Sequence, residues 1–235
     1  MLPMAILAGG YATRLGALAK DFPKCLIQFN GRPFVDWQLD LLIKNGYRDF
    51  VFCTSYKSDL IQKYLGDGTV RGVNIQYSMD GDTQLGTGGA IQKAIPILGD
   101  EFGVIYGDSY LPINYSQVEQ CFLSSKAHAL MTVYENHNQF DKSNVEFVDC
   151  QLLDYEKGST NTNMNHIDYG ITYFKKVAFQ PWADQSSFDL SKVCNGLARD
   201  KQIDGFEVFE RFYEIGSLSG IDEFTEYLRK APNEL

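Results

Sequence analysis

Short apolar runs alternate with stretches of helical length through the first half of the chain, and this alternation constrains the fold more than any other feature. The run Met4–Leu7 leads into Gly9-Gly10 and reads as a buried strand. Residues 33–45 have the length and apolar spacing of a helix, with Gly46 as its stop signal. A β-rich run follows at Asp49–Thr54, a helix at Ser58–Leu65, a strand at 73–77, a glycine-led helix at 88–98 and a buried strand at 102–106. Brief strands separated by helices imply a mainly parallel sheet with right-handed crossovers. The pattern then changes. Residues 129–134, Val145–Val148, Gln151–Tyr155 and 167–174 are closely spaced strand candidates, and 188–200 and 221–230 read as helices. The expectation is an α/β fold with a Rossmann-like mixed sheet flanked by helices and an antiparallel or mixed second half. One domain is expected over 1–235, made of a parallel half at 1–110 that binds its ligand at the strand ends and a mixed half at 111–235 that completes the cleft.

The sharpest local feature is Leu7-Ala8-Gly9-Gly10-Tyr11-Ala12-Thr13-Arg14-Leu15, followed by Pro23-Lys24. Two glycines after a strand let backbone N–H groups approach an anion with no Cβ in the way. The carboxyl ends of strands are where open α/β sheets bind ligands. Arg14 offers a planar fork of donors to phosphate oxygens, and Lys24 adds a mobile point charge. Neither GxxxxGK[ST] nor GxGxxG is present. Downstream, Gln84-Leu85-Gly86-Thr87-Gly88-Gly89-Ala90 places glycines at a helix start, where N–H donors face a ligand. Asp108 follows the strand at 102–106, and a carboxylate at such a strand end, beside a phosphate site, is a natural Mg²⁺ ligand.

In this order the motifs resemble the sugar-1-phosphate nucleotidyltransferases, the NDP-sugar pyrophosphorylases, and the resemblance runs from Met4 to about residue 228. It implies that Leu7, Ala8, Gly9, Gly10 and Thr13 wrap a nucleoside triphosphate, and that Gln84, Gly86, Thr87 and Gly88 form the base loop. It implies that Arg14 holds the β- and γ-phosphates and that Lys24 bridges the α-phosphate and a sugar phosphate. Asp108 and a late carboxylate would hold Mg²⁺. Glu214 in Tyr213-Glu214-Ile215-Gly216 stands where the family reads D-I-G-T, one methylene longer than usual. Glu156 and Lys157 match the family's sugar-side Glu-Lys pair. Asp168 and Gly170 stand in place of N-x-G, and Asn144 lies where the family's usual Y-G is missing; these five form the expected sugar-phosphate set. Within the family, the short length and the glycine string look closest to heptose or mannose 1-phosphate guanylyltransferases. His166, His128 and His137 are read as structural or sugar-contacting, because a phosphate nucleophile needs no proton removed at neutral pH.

The implied partners are a nucleoside triphosphate and a sugar 1-phosphate, in a pathway of surface-glycan synthesis. Rival readings are a glycosyltransferase using Asp80-Gly81-Asp82 as a D-x-D motif, a cytidylyltransferase for a non-sugar phosphate such as phosphocholine, and an inactive binding module. The formal net charge of -9 argues against nucleic acid as a partner. No stretch reaches the roughly 20 apolar residues of a membrane span. The five scattered cysteines, without a CxxC pair, read as reduced thiols in a cytoplasmic protein. A homodimer is left open.

Overall fold

Backbone stop signals and strand alternation set the elements of the computed structural model, which describes residues 1–10, 22–55 and 57–230. In chain order they are β1 (Met4–Leu7), β2 (Gln28–Phe29), β3 (Arg32–Pro33), α1 (Phe34–Lys44), β4 (Asp49–Thr54), α2 (Ser58–Leu65), β5 (Asn74–Met79), α3 (Gly86–Leu98), β6 (Glu101–Tyr106), β7 (Ser109–Tyr110), α4 (Tyr115–Ser124), β8 (Ala129–Glu135), β9 (Val145–Val148), β10 (Gln151–Tyr155), β11 (His166–Lys175), α5 (Leu190–Arg199), β12 (Ile203–Val208), β13 (Tyr213–Glu214) and α6 (Leu218–Lys230). Helix α1 stops at Asn45, and Gly46 then takes φ 95°, which a Cβ would oppose. The side chains of Asn114 and Asp189 cap α4 and α5 by accepting from the amides of Gln117 and Ser191.

Among the described residues, nine strands form one sheet. Strands β6, β1, β4 and β5 lie parallel in that spatial order. The long strand β11 pairs antiparallel with β6 on one side and with β8 on the other, so the parallel and mixed halves share one sheet. Strand β12 adds parallel to β8, and the β9–β10 hairpin extends the sheet through β11. Six of these elements had no counterpart in the sequence reading: α4, β12 and the two-residue strands β2, β3, β7 and β13. The helices α3, α5 and α6 begin at Gly86, Leu190 and Leu218 rather than at 88, 188 and 221.

Alternate side chains of each strand point to opposite faces of the sheet. Ile6, Phe52, Ile105 and Tyr173 join Leu39, Leu42, Ile61, Val118 and Phe122 of α1, α2 and α4 on one face. Ala5, Val51, Val104 and Phe174 join Ile91, Ala94, Val193 and Leu197 of α3 and α5 on the other. A smaller cluster of Phe29, Phe34, Tyr110, Ile215, Phe224 and Leu228 fastens α6 onto the start of α1. The last cluster matters for the site, because it seats the two-stranded β7–β13 ribbon beside the end of β6.

Candidate active site

The carboxyl ends of β1, β4, β5 and β6 open into a cavity of about 290 Å³. Leu7, Ala8, Gly9 and Gly10 form one wall. Cys53, Asp80, Gln84, Gly86, Thr87 and Ala90 form a second, and Lys24, Cys25, Tyr106, Gly107, Asp108 and Asp189 close the far end. The cavity therefore brings together the strand-end glycines, the start of α3 and the carboxylate after β6. Thr13 and Arg14 lie outside the described residues.

Lys24 Nζ stands 3.0 Å from Asp108 Oδ2, with both side chains about three-quarters buried. Lys24 is held in a single 3₁₀ turn, Lys24–Leu26, closed by the Leu26 amide on the Pro23 carbonyl. The backbone around Asp108 is clamped from two directions. Gln38, buried in α1, donates to the carbonyls of Tyr106 (2.8 Å) and Ser109 (2.6 Å). The Ile215 amide donates to the Asp108 carbonyl at 2.9 Å, an extension of the pairing of Glu214 with Ser109. This pairing brings Glu214 onto the strand next to the residue after Asp108. A Cβ on Gly216 would stand 3.5 Å from Asp108 Oδ2 and 3.7 Å from Lys24 Nζ, so the missing side chain leaves room beside the pair. Among the described residues no group of three or more His, Cys, Asp or Glu side chains could hold a metal ion. Mg²⁺ does not require one: it binds one or two carboxylates and takes the remaining oxygens from water and substrate phosphates. Hard carboxylate donors on Asp108 and Glu214 fit that chemistry.

The glycines of the 86–89 turn serve a role that the sequence reading did not assign to them. Gly86 takes φ 69°, and a Cβ there would lie 2.5 Å from the Phe188 carbonyl oxygen. A Cβ on Gly88 would lie 2.3 Å from the Phe188 ring. The amides of Gly88 and Gly89 both donate to the Phe188 carbonyl. Gly86 and Thr87 line the cavity as expected. Gly88 does not: its amide is spent on Phe188, and its open side is filled by the ring.

Lys157 Nζ lies 3.9 Å from Asp189 Oδ1 and 5.6 Å from the centre of the Tyr106 ring. Asp168 faces the same region. Burial pushes its carboxyl above the usual carboxylate range, against the opposing pull of Lys157, the Gly170 amide and the Tyr155 hydroxyl. Burial also pushes the Asp189 carboxyl up, but hydrogen bonds from Ser191 together with the charge of Lys157 overcome this and hold it below its ordinary value. Asn144 is a buried peg and does not line the cavity. Its Oδ1 accepts from the Asp168 amide at 2.9 Å, and its own carbonyl accepts from the Glu156 amide. Gly170, at φ 118°, packs against Leu111 at the register shift between β11 and β8. Glu156 lines a neighbouring depression with Lys157, Trp182, Lys192 and Arg199. His166 is structural: its Nε2 lies 3.3 Å from Glu207 and its ring sits edge-on to Phe147.

Two residues of the site escaped the sequence reading. Gln38 gave no signal, since a lone Gln on an apolar helix face looks like a surface residue. Asp189 carried a faint one, because Asp two residues before Ser at a helix start is a capping pattern.

A protein-family model described as nucleotidyl transferase matches residues 4–228. A D-glycero-alpha-D-manno-heptose 1-phosphate guanylyltransferase of Aneurinibacillus thermoaerophilus is 32% identical over 234 residues, covering 98% of this chain and 96% of that protein. The enzyme of the same name from Campylobacter jejuni is 29% identical over 187 residues, covering 80% and 82%. The solved structure of the inositol-1-phosphate CTP transferase from T. maritima superposes with a TM-score of 0.82 at 21% identity, covering 100% of this chain and 98% of that one. With its family's model matched from the first strand to the last helix, the chain belongs to the nucleotidyl transferase family.

Proposed function

We propose that this enzyme joins the nucleoside monophosphate of GTP to a heptose or hexose 1-phosphate and releases pyrophosphate. The observation that carries the reading is the Lys24–Asp108 pair on the floor of a cavity whose walls are a glycine turn and a helix start. The heptose 1-phosphate guanylyltransferases that align along most of the chain support the choice of base and acceptor. The residues assigned to the nucleotide are Leu7, Ala8, Gly9, Gly10, Thr13, Gln84, Gly86 and Thr87.

The reaction requires a sugar-phosphate oxygen to approach the α-phosphorus in line with the departing pyrophosphate. Both reactants are anions, so positioning and charge neutralisation dominate the barrier. Lys24 sits where it can hold both reacting phosphates against their repulsion. Arg14 is assigned to the leaving pyrophosphate. Lys157, paired with Asp189, meets the sugar phosphate, while Asp168 and Glu156 accept hydrogen bonds from sugar hydroxyls. Asn144 and Gly170 act one step back, by fixing the backbone of Asp168 and Glu156. Asp108 and Glu214 would hold Mg²⁺, which when bound neutralises charge building on phosphate oxygens. The setting we assign is the cytoplasm, with the product feeding capsule or lipopolysaccharide synthesis.

The test is a panel of nucleoside triphosphates against sugar 1-phosphates with Mg²⁺, read by pyrophosphate release. Formation of an NDP-sugar with GTP supports the reading. Activity only with phosphocholine, or glycosyl transfer without pyrophosphate, sinks it.

A further inference from the structure

Besides Asp108 and Asp189, one more carboxylate lines the cavity. Asp80 follows directly on β5 and stands on the wall that also carries Cys53, Gln84 and Ala90. Its backbone is fixed by its own amide on the Thr54 carbonyl (2.9 Å) and by Lys93 Nζ on its carbonyl (3.2 Å). Its side chain is fixed as well, because Oδ2 accepts from the Leu85 amide at 3.1 Å. Oδ1 has no hydrogen-bond partner among the described residues. Leu7, Ala8, Cys53 and Ala90 contribute apolar surface to the same cavity. A carboxylate oxygen fixed in place on the cavity wall is set to accept a hydrogen bond from a bound molecule.

We propose that Asp80 reads the edge of the nucleobase and sets a preference for guanine, an inference that rests on the nucleotide reading given above. An ionised carboxylate only accepts hydrogen bonds. Guanine presents two neighbouring donors, N1–H and the exocyclic N2 amine, and a carboxylate takes both side by side. Adenine and cytosine each place an acceptor next to their amine, and that acceptor would face the carboxylate lone pairs. Uracil and thymine offer one N–H between two carbonyls. Gln84 complements the assignment. Its side-chain amide makes two long contacts, 3.3 Å to the Gly9 carbonyl and 3.5 Å to the Ser55 hydroxyl, and it can turn its N–H to a base carbonyl. The alternative role for Asp80, stapling the 80–85 turn through Leu85, predicts no discrimination among bases.

Calorimetry with the full chain, Mg²⁺ and one triphosphate at a time separates the two roles without needing the sugar acceptor. GTP should bind at least about tenfold more tightly than ITP, which lacks only the N2 amine, as expected for a lost charge-assisted hydrogen bond. Asp80→Asn keeps an oxygen for the Leu85 amide but turns an NH₂ toward the base, and should bring GTP and ITP within about threefold of each other. A variant that keeps the wild-type ratio overturns the proposal. If the variant does not fold, the wild-type comparison decides alone: equal affinity for GTP and ITP, or a preference for UTP or CTP, overturns it. A wild-type protein that turns over UTP or CTP in preference to GTP removes the guanine assignment and leaves nucleotidyl transfer intact. Failure to bind any triphosphate removes both.

Discussion

The ammonium of Lys24 and the carboxylate of Asp108 form an ion pair across 84 positions of sequence, and Gly216 leaves open the space beside both. A partly buried pair of this kind neutralises its own charges while waiting for a more strongly charged partner on either side. Lys24→Met removes the cation without removing bulk. It should lower kcat on the order of 10²–10³-fold, the scale of one lost electrostatic contact at a reacting centre. Asp108→Asn should leave the fold intact and raise the Mg²⁺ concentration needed for half-maximal rate. Metal titrations of pyrophosphate release, alongside melting curves, check both.

Gln38 is the residue through which helix α1 holds the Asp108 turn. Gln38→Leu would leave the carbonyls of Tyr106 and Ser109 without their donor. An unsatisfied buried acceptor costs about 1–3 kcal/mol. We expect a lower melting temperature together with a fall in kcat larger than the rise in KM, because the substrate-binding walls are untouched. A variant with a normal kcat would remove Gln38 from the positioning of Asp108.

Gly86 is the glycine least able to accept a side chain. Gly86→Ala meets both an unfavourable φ and the Phe188 carbonyl, which is backbone and cannot swing aside. A loss of roughly 2 kcal/mol, or about 4–8 °C in Tm for a chain of this size, is expected. Triphosphate affinity should fall with it, since Gly86 and Thr87 share the cavity wall. Scanning calorimetry and triphosphate titration measure the two effects.

Burial raises the Asp168 carboxyl above its ordinary value, against the pull of Lys157. A carboxyl whose folded pKa is raised weakens the fold above that pKa, because the unfolded chain ionises at lower cost. The penalty shrinks as pH falls through the folded pKa and is gone below the ordinary carboxylate value. Asp168→Asn should therefore raise Tm at neutral pH, by an amount that diminishes toward acid pH, while impairing turnover of the sugar phosphate. A Tm gain independent of pH would refute the electrostatic origin.

Asp189 both caps α5 and pairs with Lys157. Asp189→Ala should cost about 1 kcal/mol through the lost cap, whereas Asn, a good cap, should cost only a few tenths. Both variants free Lys157 and should raise the KM for the sugar phosphate with little change in that for the triphosphate. If the Asn variant matches wild type in both constants, the Lys157 pairing has no bearing on the acceptor.

The parts legible in the sequence are those set by local chemistry. Strands β1, β4 and β6 announced themselves as unbroken apolar runs, and α1 ended at Gly46 as its sequence required. Helix α4 was missed because Gln117, Glu119 and Gln120 break its apolar stripe; Glu119 is buried where it accepts from the Leu2 amide. Strand β12 was missed because Asp204, Gly205 and Glu207 depress its strand propensity, and pairing with β8 supplies what propensity lacks. The glycine wall of the cavity was readable from the sequence, although the role of Gly88 depends on Phe188, a hundred positions later. Asn144, Gln38 and Asp189 act on partners distant in sequence, and no window of residues contains both members of any such pair.

The β7–β13 ribbon joins residues 109–110 to 213–214. Glu214 thus stands across from Ser109 although more than a hundred positions separate them, and the neighbouring Ile215 amide reaches the Asp108 carbonyl. Loosening the ribbon would uncouple the Asp108 turn from the cluster that fastens α6 to α1, while the parallel strands β6, β1, β4 and β5 kept their own pairing.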